Sequence, residues 1–142
     1  MAVIVDQRLP RPLHPLHAVF LAGALPLFAG ALLSDIAYWR SYEIQWNNFA
    51  SWLIAGGLVL AAVALLCAVV DALGARRRPG WRIAYPLVLA AAWLVQLFNA
   101  LMHARDAWAS MPGALVLSAI GTLLALAAVC LGFHVPRRGV VP

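Results

Sequence analysis

The sequence contains no lysine and a single glutamate, and charged side chains of all kinds make up only 11% of its residues. Soluble domains average about 25% charged residues. A water-facing surface of the usual kind cannot be built from this chain. It has two cysteines, Cys67 and Cys130, each inside an apolar run. That placement favours small packing residues over a disulfide. No CxxCH, HExxH or other strict ligand spacing occurs. Ionisable residues are missing from the middle of every long apolar run, where ion-coupled transporters and proton pumps place them, so transport is not expected. Barrel strands are excluded too, because no stretch alternates apolar and polar residues.

What the chain does have is apolar length. Hydrophobic residues make up 65% of it, and they gather into four runs at 17–38, 49–73, 83–104 and 114–135. At about 1.5 Å per residue, each run can cross a hydrocarbon core of about 30 Å. Lipid offers no hydrogen bonds to the backbone, so a spanning segment must satisfy its own amides as a helix. The connectors around 40–48, 74–80 and 105–113 are short, which makes sequential helices antiparallel. The fold expected is an all-α, integral-membrane, up-and-down four-helix bundle, a single transmembrane domain over 1–142 with short cytoplasmic tails. Pro26 and Pro86 fall inside runs, where neighbouring helices accommodate the kink. The first run continues to Tyr38 and Trp39, longer than the apolar core of about 7 to 15 residues in a cleaved signal peptide, so it is expected to remain as a helix.

Arginine sets the expected orientation. Arg8, Arg11, Arg76, Arg77, Arg78, Arg82, Arg137 and Arg138 share one side of such a bundle, and only Arg40 and Arg105 lie on the other. The positive-inside rule then puts both termini in the cytoplasm. The net charge of +5 is accounted for by this topology and by anionic lipid headgroups, and no nucleic-acid partner is expected.

Polar residues inside the runs fall on defined faces. Gln96, Asn99 and His103 share one face of the third helix, and Ser118 and Thr122 share one face of the fourth. In an antiparallel pair, Asn99 is level with Ser118 and Gln96 with Thr122 to within one residue, so the two stripes should meet. Glue between helices is the plain reading, and a polar groove opening outward beside His103 is the functional one. Asp35, near the outer end of the first helix, is level with His103 and Arg105, and a rim contact with Arg105 is its expected role. Asp71 is expected to pair with the loop arginines. The outer rim also carries Asn48 and Asp106 among Tyr38, Trp39, Tyr42, Trp46, Trp52 and Trp108. This composition belongs both to a membrane-interface belt and to a protein-docking surface. Asp35, Asn48, Gln96, Asn99, His103, Arg105 and Asp106 are therefore the candidate partner-binding or groove residues. Small residues Gly56, Gly57, Ala61, Ala64 and Ala68 allow close approach of a neighbour, within the bundle or in a homo-oligomer.

At the opposite face stand His14, His17 and His134. Headgroup contact is their plain role. A haem b or metal site is the alternative, since His17 and His134 come to similar depth where first and last helices meet.

The stretches HPLHAVF at 14–20, SDIAYW at 34–39, NFASWLIAGG at 48–57 and HARDAW at 103–108 together resemble the bacterial four-helix family known as domain of unknown function 2231, over nearly the whole chain. That family opens with His-Pro-x-His-Pro and adds a later histidine before Phe-Pro. Here His14-Pro15-Leu16-His17 matches, whereas Ala18 replaces the second proline and Ala22 stands near the later histidine. The resemblance implies an inner-membrane protein and an association with periplasmic sugar dehydrogenases of the quinoprotein type. The expected function is a non-catalytic membrane subunit or anchor for a periplasmic partner, without a cofactor and without catalytic residues. A small redox protein holding haem b or quinone is the alternative.

Overall fold

A computed structural model describes residues 13–74 and 81–133. His134, the arginines at 76–78 and those of both terminal segments lie outside them. The described residues form α1 (Pro15–Ser41), α2 (Ile44–Gly74), α3 (Trp81–His103), a single-turn α4 (Ala107–Ser110) and α5 (Gly113–Phe133). Four of these, α1, α2, α3 and α5, are long and apolar enough to cross a membrane. No strand occurs among the described residues.

The ends of the helices follow local chemistry rather than the limits of the apolar runs. Pro15 occupies the first turn of α1, where a missing N–H costs nothing, and the His14 ring accepts the Leu16 N–H at 3.4 Å. At the other end Tyr42 turns into the left-handed region at φ 55°, and its N–H donates to the Tyr38 carbonyl at 2.7 Å. Only Tyr42 and Glu43 separate α1 from α2. The connector expected over 40–48 is thus mostly helical, because Gln45, Asn47 and Asn48 continue the helix beyond the apolar run. The connector after α3 likewise contains α4, whose first turn is capped by the Asp106 side chain accepting the Trp108 N–H at 3.3 Å.

Each long helix packs against two others: α1 against α2 and α5, and α3 against the same pair. This leaves α1 facing α3, and α2 facing α5, across the diagonals of a square bundle. Its interior combines a few large side chains, Leu21, Phe28, Ile54 and Leu89 among them, with many small and polar residues. Ala24, Ala31, Ala50, Ala61, Ala64, Ala92, Ala114, Ala125 and Ala128 are buried, while Leu33, Leu66 and Leu123 are each 66% exposed on the outside. That is the reverse of a soluble domain, and it has a direct cause. Lipid tails are as apolar as leucine, so burial of leucine drives nothing, and close approach at small residues together with interhelical hydrogen bonds does the holding. Gly57, Ala61, Ala64 and Ala68 on α2 are used inside the bundle, with Gly57 lying directly on the Phe28 ring of α1. Cys67 and Cys130 are both unpaired.

Candidate functional site: a buried acid–base network

Near the Tyr42 end, polar side chains from α1, α3 and α5 converge in the core. Asp35, Gln96, Asn99 and Ser118 are fully buried and His103 nearly so. The His103 Nδ1–H donates to the Asn99 backbone carbonyl at 2.9 Å. A carbonyl can only accept, so Nδ1 carries a proton, and Nε2 is left facing Asp35 Oδ1 at 2.8 Å. One proton is held between these two atoms, on one side or the other. Ser118 Oγ–H donates to the second carboxyl oxygen, Asp35 Oδ2. Ser118 Oγ in turn accepts from Asn99 Nδ2 at 2.7 Å, and the same amide nitrogen donates to Gln96 Oε1 at 3.0 Å.

Asn99 and Ser118, placed level by helical period, are thus in direct contact. The second level pair does not meet directly: Thr122 donates instead to the Phe28 carbonyl at 3.1 Å. Gln96 lies over Gly121, where an added Cβ would come within 2.7 Å of the Gln96 amide. Two polar atoms of the network, Gln96 Nε2 and Asn99 Oδ1, have no hydrogen-bond partner.

Asp35 does not sit at the rim with Arg105. Its partner is His103, because Asp35 points into the core from α1, whereas Arg105 lies past the end of α3 and is exposed. Among the described residues the Arg105 guanidinium reaches only the Met102 sulfur, at 3.8 Å. Asp106 is occupied in capping α4. Asn48 is exposed, and it is the adjacent Asn47 that turns inward, accepting from Ser110 Oγ at 3.3 Å. The proposed outer set therefore divides in two. Asp35, Gln96, Asn99 and His103 form one interior network, while Asn48, Arg105 and Asp106 remain on the surface.

A second polar group lies at the His14 end. His17 is buried, not set among headgroups, and its Nε2 is 2.7 Å from the Tyr85 hydroxyl of α3. Its Nδ1 faces Asp71 of α2 at 3.6 Å, beyond hydrogen-bond reach. Asp71 thus has a histidine beside it, and the loop arginines expected to pair with it lie outside the described residues. Tyr85 was not anticipated, since a lone tyrosine near a helix start carries no motif. Iron at His17 Nε2 would have to displace Tyr85, and His14 uses its Nδ1 to cap α1. No group of three His, Cys, Asp or Glu residues among those described could hold a metal ion.

The surface at the Tyr42 end is aromatic. Tyr42 stacks on Trp108 with ring centroids 5.6 Å apart and planes 13° from parallel, joining the α1–α2 turn to α4. Trp39, Trp46 and Trp52 are exposed on the same end, and only Tyr38 turns inward.

No curated protein and no solved structure matches the chain. The family model described as Predicted membrane protein (DUF2231) matches residues 13–141, nearly the full length. The chain, with four spanning helices that turn their apolar faces to lipid, belongs to this family of membrane proteins.

Proposed function

We propose that the protein is a non-catalytic membrane subunit or anchor of the bacterial inner membrane. In this reading both termini are cytoplasmic and the Tyr42 end docks a periplasmic partner, for which a quinoprotein-type dehydrogenase is the suggestion that the family resemblance carries. The observation behind it is the Tyr42–Trp108 stack. It ties two connectors into one rigid aromatic platform, edged by the exposed side chains of Trp39, Asn48, Arg105 and Asp106. Rigid aromatics flanked by arginine are what protein interfaces favour. The buried histidines, in contrast, are turned towards Asp35 and Tyr85, so among the described residues at this end it is the platform that faces outward.

The test separates docking from helix capping. Arg105→Ala combined with Asp106→Ser keeps a capping hydroxyl for α4 while removing both charges from the rim. The expected result is a bundle that still inserts and folds but no longer co-purifies a periplasmic protein from the native membrane, because truncating one side of a desolvated charged contact costs about 2 to 5 kcal/mol. Unchanged co-purification would leave capping as the whole role of these residues.

A further inference from the structure

The network around Asp35 holds more information than a structural tie needs. Its hydrogen bonds run in one direction: Asn99 Nδ2 donates to Ser118 Oγ, and Ser118 Oγ–H donates to Asp35 Oδ2. The same Asn99 nitrogen donates to Gln96 Oε1. Rotating one amide alone would set donor against donor or acceptor against acceptor. Rotating both restores every bond, on one condition. Asn99 Oδ1 then accepts from Gln96 Nε2 and from Ser118 Oγ–H, so Ser118 no longer has a proton for Asp35, and Asp35 Oδ2 must carry its own and donate it to Ser118.

The network therefore has two self-consistent directions, distinguished by whether Asp35 Oδ2 is protonated. Each leaves one amide donor and one amide acceptor unpaired, Gln96 Nε2 and Asn99 Oδ1 in the direction observed. The amides alone thus favour neither direction, and the proton on Asp35 decides. We propose that Asp35, paired with His103, is an exchangeable proton-binding site, and that Ser118, Asn99 and Gln96 carry its occupancy inward by reversing the direction of their hydrogen bonds.

The step balances simply. One proton passes from hydronium to Asp35 Oδ2: an O–H bond of hydronium breaks, an O–H bond at Oδ2 forms, and a water molecule is left. The Ser118 proton stays on Ser118 and swings from Asp35 to Asn99. The proton already shared by Asp35 Oδ1 and His103 Nε2 remains, and the cluster gains one positive charge. Entry is from the Tyr42 end, since His103 closes α3 and Ala104, Arg105 and Asp106 beyond it are exposed. Few other charges act on the site. On α1 the ionisable neighbours are Tyr38, which is buried, and Arg40, which is exposed. On α3 it is His103 alone. At this level α5 offers Ala114 and Ser118, and α2 offers Asn47, Ala50 and Ile54, none of them charged. Glu43, Arg105 and Asp106 in the connectors are exposed.

The experiment joins infrared and magnetic-resonance readouts on the full chain in lipid nanodiscs across a pH series. With carbon-13-labelled aspartate, a protonated-carboxyl band should rise as pH falls and be absent from Asp35→Asn. Because that variant removes a core group, Asp6→Asn/Asp71→Asn/Asp106→Asn supplies a second assignment, leaving Asp35 as the sole aspartate and retaining the band. The side-chain amide resonances of Asn99 and Gln96 should shift with the same midpoint as the band. In Ser118→Ala the band should persist while both amide resonances lose that shift. A band missing from the triple variant, amide shifts with a different midpoint, or amide tracking that survives Ser118→Ala would each overturn the proposal.

Discussion

Asp35 and His103 meet across a diagonal of the bundle, joining α1 to α3 without an intervening helix. The only other hydrogen bond between side chains of these helices among the described residues, His17 to Tyr85, has the same sequence separation of 68 residues. The two ties thus stand equally far apart on both helices, roughly 18 residues or five turns, which returns to the same face about 27 Å along. Between them the α1 face buries Leu21, Ala24, Phe28 and Ala31. Two polar clasps, one at each end, are thus separated along the α1 face by apolar residues.

Removing one half of the first clasp should cost far more than removing both. Asp35→Leu or His103→Leu alone leaves a buried ionisable group without its partner, a loss of about 3 to 5 kcal/mol. The double variant should recover most of that, because well-packed apolar residues replace a buried pair at little net cost. Reversible unfolding in mixed micelles gives the three values. Single losses that simply add in the double variant would show that the two side chains do not act as a pair.

Ser118 should matter more than Asn99, although they share a hydrogen bond of 2.7 Å. Interhelical hydrogen bonds in lipid average only about 0.6 kcal/mol, with a maximum near 2, and Asn99→Ala should fall in that range. Ser118→Ala also strips the donor from Asp35 Oδ2, and bonds to charged groups contribute about 1.5 to 3 kcal/mol. The two losses should be non-additive, since the residues touch. Equal and additive costs would argue against a connected network.

The Asn99–Ser118 contact was legible because helical period and antiparallel geometry fix both face and level. The Asp35 partner was legible as to level but not as to chemistry. Charge alone favours Arg105, and only the end of α3 at His103 turns the histidine inward and leaves the arginine outside. Helices extend past the apolar runs where polar residues such as Gln45, Asn47 and Asn48 continue them, because hydropathy marks the lipid boundary while the backbone is stopped by Tyr42 in its left-handed conformation. Tyr85 was missed because it is one of several aromatics near the membrane boundary. Its signal was the matched spacing: Tyr85 stands to His17 as His103 stands to Asp35.

Adjacent glycines on α2 should respond differently to the same methyl group. A Cβ on Gly57 would overlap the ring of Phe28, which is 1% exposed and has no room to withdraw. A Cβ on Gly56 would meet only the Leu27 side chain, at an ordinary 3.4 Å. Gly57→Ala should therefore destabilise the bundle by about 1 to 3 kcal/mol, the usual cost of overpacking, whereas Gly56→Ala should be neutral or slightly stabilising through better helix propensity. Unfolding midpoints of the two variants decide it, and equal midpoints would contradict the packing of α1 on α2.

The arginines predict an orientation, and the fold determines how it should be tested. Eight arginines flank the ends of the helices that lie on the side of the termini, and only Arg40 and Arg105 lie on the other. Translocating an arginine-rich segment is disfavoured, so the side with eight should stay in the cytoplasm. The Tyr42–Glu43 turn is too short to host an inserted reporter without breaking α1 or α2, so the reporter must end a truncated chain. Alkaline phosphatase fused after Glu43 should be active, since the enzyme needs export, and a fusion after Arg138 should be inactive. The membrane offers only two arrangements of an antiparallel bundle, so the opposite result would be equally clear. An active fusion after Arg138 would place the aromatic platform in the cytoplasm, and a periplasmic partner could then not reach Tyr42 or Trp108.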